Sequence, residues 1–154
     1  MQGLRLGPHP LHPALVHFPV ACWTAAPLMD VLHLIRGGSV WWRCAFWLIA
    51  AGVALALPAM AAGFMDLMAL PKGHPGQATG QRHLLFIGSA WSVFVIDLLL
   101  RSPTSAPAPD FAYLGLGLSI LGFAILLAGA YAGAQLVYVF GVGQNREREH
   151  PTSR

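Results

Sequence analysis

The chain has 154 residues, of which 56% are hydrophobic and only 10% charged, with a net charge of +3 and a mean hydropathy of +0.59. Soluble domains carry about 25% charged residues. The composition therefore excludes an ordinary soluble globular protein and points to an integral membrane protein.

Residues 9 to 19 read His-Pro-Leu-His-Pro-Ala-Leu-Val-His-Phe-Pro, setting His9, His12 and His17 beside Pro10, Pro13 and Pro19. Imidazole is costly to bury in lipid unless it binds something, and ionisable groups at membrane depth are functional candidates by default. Proline fits the first turn of a helix, where its missing N–H has no partner to lose. A helix is therefore predicted from near His12 or Pro13, with His17 in its first or second turn, at the interfacial end of a span. A cleaved signal peptide competes, with Arg5 as its basic end and Thr24-Ala25-Ala26 as its cleavage site. His17, Pro19 and Pro27 interrupt such a segment, and the apolar run continues past Met29. A retained span is the reading adopted.

Four apolar segments follow, at about 13–35, 41–70, 83–100 and 111–140. Each reaches the roughly 18–20 residues that cross the hydrocarbon at ~1.5 Å per residue. The second and fourth exceed it, so tilt or extension beyond the bilayer is expected. The expected architecture is all-α, an integral membrane four-helix bundle over residues 1–143, with a polar, disordered tail at 144–154. Pro19 and Pro27 should kink the first helix. Gly37-Gly38-Ser39 turns the chain, and Trp41-Trp42-Arg43 anchors the second helix at the interface. Thr79 is the expected N-cap of the third helix, with His83 in its first turn. Asp97 and Arg101 form an i,i+4 pair, and Asp30 is expected to reach His33. Cys22 and Cys44 fall at different depths, which argues against a disulfide.

An even number of spans places the N-terminus, the 71–82 loop and the C-terminal tail on one face. That face carries Arg5, Lys72, Arg82, Arg146, Arg148 and Arg154, against Arg36, Arg43 and Arg101 on the other. The bias makes the first face cytoplasmic in a bacterial inner membrane. His9, His12, His17, Asp66, His74 and His83 converge there, leaving only His33 on the far side. A shift of 66 residues carries His17 onto His83 and Ala62-Gly63 onto Ala128-Gly129. It suggests a parallel two-fold repeat of helix pairs, with His17 and His83 at equal depth.

Two imidazoles from different helices of an apolar bundle suit axial ligation of haem b. His17 and His83 are the expected ligands, with His12 as a further metal-ligating candidate. Arg82 or Lys72 would meet the propionates, and Asp66 would orient a ligating imidazole. Gly122 and Gly129, in a seven-residue series with Gly115, would let the macrocycle lie against the fourth helix. Close packing through small residues explains the same series. The principal rival is copper, held by histidines with Cys22, Met60, Met65 or Met68. A structural subunit without cofactor is the third reading. Nucleotide loops, nucleophile elbows and His-Glu-x-x-His are missing from the sequence, so electron transfer is favoured over stand-alone catalysis. Expected partners are lipid and a separate iron–sulfur or other redox protein. A homo-oligomer is allowed, and nucleic acid is not expected.

The run His-Pro-x-His-Pro-x-x-Val-His-Phe-Pro, Gly-x-x-Asp closing the second helix, a histidine opening the third and a terminal Leu-Val-Tyr-x-x-Gly-Val-Gly resemble a bacterial family. Its members are predicted four-helix membrane proteins of unknown function, some fused to Rieske iron–sulfur domains. The resemblance covers most of the chain and carries over onto His12, His17, Asp66, His83, Tyr138, Gly141 and Gly143. The fusions imply a redox setting, and this chain has no iron–sulfur domain of its own.

Overall fold

The computed structural model describes residues 5–6, 9–104 and 107–143, with side chains described from residue 11 onward. The expected tail and the His9 side chain lie outside the described residues. A two-residue antiparallel pairing of β1 (Arg5–Leu6) with β2 (His9–Pro10) leads into four helices. These are α1 (Leu11–Arg36), α2 (Ser39–Met68), α3 (Gln77–Leu100) and α4 (Pro109–Tyr138). All four are long and apolar enough to cross a membrane. Pro19, Pro27 and Pro58 lie inside α1 and α2 without ending them, as membrane helices tolerate.

The connections follow from local chemistry. Gly37 and Gly38 take φ of 69° and 80°, a region closed to most side chains, and so reverse the chain between α1 and α2 in two residues. α3 begins at Gln77, so His83 falls in its second turn rather than its first, and Thr79 is not its cap. Gly76 is the N-cap residue, without a side-chain cap bond. The turn before it is held instead by the Gly76 N–H donating to His74 Nδ1 at 3.0 Å. That bond accounts for His74 without any ligand.

The packing is inverted relative to a soluble bundle. Phe18, Leu28, Ile35, Trp47, Leu85 and Leu99 face outward, 59%, 59%, 70%, 64%, 68% and 78% exposed, which suits lipid. The inward stripes carry small residues. On α2 the buried positions recur every three or four residues, with Ala45, Gly52, Ala56, Ala59 and Ala62 small beside Trp42 and Ile49. Small residues let helix backbones approach closely where apolar burial alone gives no preference over lipid. The core cluster draws on all four helices: Trp23 and Ala26, Ile49 and Ala56, Ala90 and Phe94, and Leu126.

These stripes reveal the repeat. A shift of 70 residues carries the buried positions of α2 onto Ala112, Gly115, Ser119, Gly122, Leu126, Gly129 and Ala132, the buried positions of α4. A shift of 71 carries Pro19 onto Ala90, Trp23 onto Phe94 and Ala26 onto Asp97, all buried. The 66-residue register is thus overturned, though a parallel pair of helix hairpins is confirmed. Its partners are His12 with His83, Trp23 with Phe94 and Asp30 with Arg101. Trp23 and Phe94 stack across the pseudo-axis at 4.7 Å and 8°.

Candidate functional site

His12 stands in the first turn of α1 and His83 in the second turn of α3, both half-buried. Their ring centroids lie 6.2 Å apart, with the planes at 85°. Each ring reaches a backbone carbonyl of the other helix in its own hairpin. His12 Nδ1 bonds the Ala59 carbonyl and His83 Nδ1 the Gly129 carbonyl, both at 2.8 Å. A carbonyl only accepts, so Nδ1 is the donor in each ring and Nε2 is left to present a lone pair when the ring is neutral.

Glycines make these contacts feasible. Gly63 follows Ala59 by one helical turn and Gly133 follows Gly129 likewise, so no side chain covers either carbonyl. A Cβ at Gly63 would come within 2.8 Å of His12 Cε1, and one at Gly133 within 3.0 Å of His83 Cε1. The sequence pattern contained this signal as two glycines 70 residues apart, but the 66-residue register concealed it.

The expected pairing of His17 with His83 is therefore corrected. His17 is exposed, because five residues turn a helix about 140° past His12 at 3.6 residues per turn. His12, expected as a solvated residue or auxiliary ligand, is the one beside His83. The expected macrocycle seat on α4 is also filled. A Cβ at Gly122 would meet Phe94 at 2.8 Å, and at Gly129 Ile87 at 2.7 Å. Gly115 fits Trp42 and Arg101 in the same way. Arg82 is exposed beside His83, and Asp66 is half-buried near the end of α2. Among the described residues, no three of His, Cys, Asp and Glu converge as a metal group. Cys22 and Cys44 are both free thiols.

Sequence reasoning missed a second constellation, at the other end of the bundle. Arg101, at the C-terminus of α3, grips both oxygens of Asp30 through Nη1 and Nη2 at 2.6 and 2.7 Å. Its Nε donates to Asp97 Oδ1 at 2.8 Å. The side chains of Arg101, Asp30 and Asp97 are 1%, 1% and 0% exposed. Ser119 of α4 joins them, and the Trp42 ring of α2 lies 4.3 Å from the guanidinium carbon. All four helices thus close on one cation. Asp30 does not bond His33, whose Nδ1 instead donates to the Gly38 carbonyl at 2.8 Å. The available signal was four polar residues at membrane depth. Reading Asp97 and Arg101 as an ordinary helix-end pair hid it.

Compared with known families, residues 8–146 match the predicted membrane proteins designated DUF2231. The chain belongs to this family. Neither the comparison with curated proteins nor that with solved structures returns a match. The DUF2231 match spans both constellations, from His12 at one end of the pseudo-axis to Ser119 at the other. The terminal glycines of the shared pattern close α4. Gly141, at φ 66°, turns the chain so that the Val142 N–H reaches the Leu136 carbonyl at 2.9 Å. Tyr138 is 82% exposed, which fits an interfacial belt.

Proposed function

We propose that this DUF2231 protein is a membrane redox protein in which His12 and His83 hold one b-type haem and electrons pass through it. The observation that carries the reading is the symmetric clamping of the two imidazoles. Each comes from a different hairpin, and each has Nδ1–H fixed on a carbonyl, the arrangement that orients ligating histidines in metal sites. With Nδ1 of each ring engaged, Nε2 is the nitrogen that would hold the metal. A haem would ask only two ligands of the protein, which His12 and His83 would supply, and it would not lie against Gly122 and Gly129, where Phe94 and Ile87 already pack. When bound, it would supply one-electron chemistry. Arg82, exposed in the same turn as His83, carries the charge that a propionate requires. Copper suits soft sulfur ligands, but Met65 and Met68 are exposed and Met60 packs against the core.

The test is the spectrum of the detergent-purified protein and its elemental content. Sharp b-type bands in the reduced-minus-oxidised spectrum are expected. His12→Ala and His83→Ala should each lose nearly all of them while still inserting in the membrane. His17→Ala should keep them. A colourless protein with stoichiometric copper would establish the rival, and full spectra in both His12→Ala and His83→Ala would end the assignment.

We further infer that both termini are cytoplasmic. Arg101 is buried in the ionic cluster, so among the described residues Arg36 and Arg43 remain as the exposed cations on the far face. This strengthens the charge bias. A C-terminal reporter should be active only when it is of the cytoplasmic type. Activity of a periplasmic reporter would invert the orientation.

A further inference from the structure

Ser119 Oγ lies 2.8 Å from Asp30 Oδ2 and 2.9 Å from Asp97 Oδ2. A hydroxyl has one proton to donate, so it can satisfy only one of these oxygens. Toward the other it offers a lone pair, and two such oxygens at this distance repel unless a proton lies between them. The second contact therefore requires a proton on a carboxyl group.

Charge leads independently to the same count. Two carboxylates and one guanidinium, all but fully buried, leave one negative charge uncompensated, and such a charge is strongly disfavoured away from water. Among the described residues, the surrounding elements supply no balancing cation. On α1, His33 is half-buried with its Nδ1–H on the Gly38 carbonyl, and Arg36 is exposed. α2 presents the Trp42 ring, with Arg43 and Cys44 exposed, while on α4 Asp110 and Tyr113 are exposed.

We propose that Asp30, Asp97, Arg101 and Ser119 form a proton-binding site that holds one exchangeable proton between the two carboxyl groups. The proton resides on Asp97 Oδ2. Both Asp30 oxygens are engaged by the guanidinium at 2.6 and 2.7 Å, whereas Asp97 Oδ2 lies 3.1 Å from Nη2. Asp97 Oδ2–H donates to Ser119 Oγ, and Ser119 Oγ–H donates to Asp30 Oδ2. The proton moves when the Asp97 O–H bond breaks and its hydrogen joins Ser119 as the serine's own hydrogen passes to Asp30. The serine ends neutral, one carboxyl has replaced the other as the acid, and no other reactant takes part. The site lies at the C-terminal ends of α1 and α3, beside half-buried Ser102. It therefore exchanges with the aqueous phase opposite the His12–His83 end.

The experiment is infrared spectroscopy of the full chain in lipid nanodiscs at neutral pH. The wild type should show a protonated-carboxyl carbonyl band that shifts in D2O. Asp97→Asn and Asp30→Asn should each lose it, because either leaves one carboxylate balanced by Arg101. Ser119→Ala should keep the band but slow its deuterium shift. A wild-type spectrum without the band would overturn the proposal whether or not the variants fold. Persistence of the band in both Asn variants would overturn it as well, by placing the proton elsewhere.

Discussion

Replacing Arg101 with methionine is expected to cost about 3–5 kcal/mol, the penalty for breaking a buried ion pair from one side. Net stabilities of natural domains are only about 5–15 kcal/mol, so little folded protein should accumulate. The side chain donates to Asp30, Asp97 and Ser119 and lies under Trp42. Its loss leaves two buried carboxyl groups without their cation. The size of the effect comes from the stranded acids rather than from the value of the pair itself. Adding Asp30→Asn and Asp97→Asn to Arg101→Met should therefore recover most of the loss, since a neutral polar cluster has no charge to desolvate. Thermal unfolding of the purified variants measures both steps. An unchanged midpoint for Arg101→Met alone would show that the acids find another partner.

The span positions were legible because each depends on local composition, and the helices begin and end within a few residues of the expected segments except at α3. Its start was misplaced because the stop signals of the 71–80 loop looked stronger than they are. Gln77 to Arg82 are polar yet helical, held by the His74–Gly76 turn. The histidine site was half legible. A histidine from α1 was expected beside His83, but the one found there is His12 rather than His17, because His-Phe-Pro draws attention to His17 and residue type was matched to residue type. The structure matches position to position. Asp30 corresponds to Arg101, and Trp23 to Phe94, so the repeat conserves the places where side chains meet on the axis rather than their identities. A register search by residue likeness passes over such pairs. The ionic cluster was illegible for a related reason. Asp30, Asp97 and Ser119 are far apart in the chain, and nothing local distinguishes a buried Asp near a helix end from a solvated one.

The pseudo-axis thus carries three unlike pairs. His12 and His83 lie about 27 Å from Asp30 and Arg101, 18 residues along each helix at ~1.5 Å per residue, with the Trp23–Phe94 stack between. The imidazole pair lies at one end of the bundle and the acidic cluster at the other. The aromatic pair packs in the apolar core between them.

That middle layer gives the second large effect. Gly52→Ala is expected to destabilise the protein by about 1–3 kcal/mol or more, as overpacking of a closed core does. The new Cβ would collide with Trp23 Nε1 and Cδ1, and any movement of the indole disturbs its stack on Phe94. Among the described residues the Trp23 N–H has no hydrogen-bond partner, so shape alone holds the ring and any shift is paid in packing. Gly122→Ala, the counterpart 70 residues on, brings Cβ 2.8 Å from Phe94 and should destabilise in the same direction but less. Displacing either ring loosens the one stack they share. The double variant should therefore lose less than the sum of the two singles, as neighbouring sites do. Gly88 and Gly117 provide the control, since a Cβ at either meets no atom within 4 Å. Alanine there should be neutral or stabilising by up to about 1 kcal/mol through helix propensity. Thermal midpoints of the wild type and the five variants in one detergent test the whole set. Additive losses at Gly52 and Gly122, or equal losses at all four glycines, would show that the stack is not the shared element placed at the centre of the repeat.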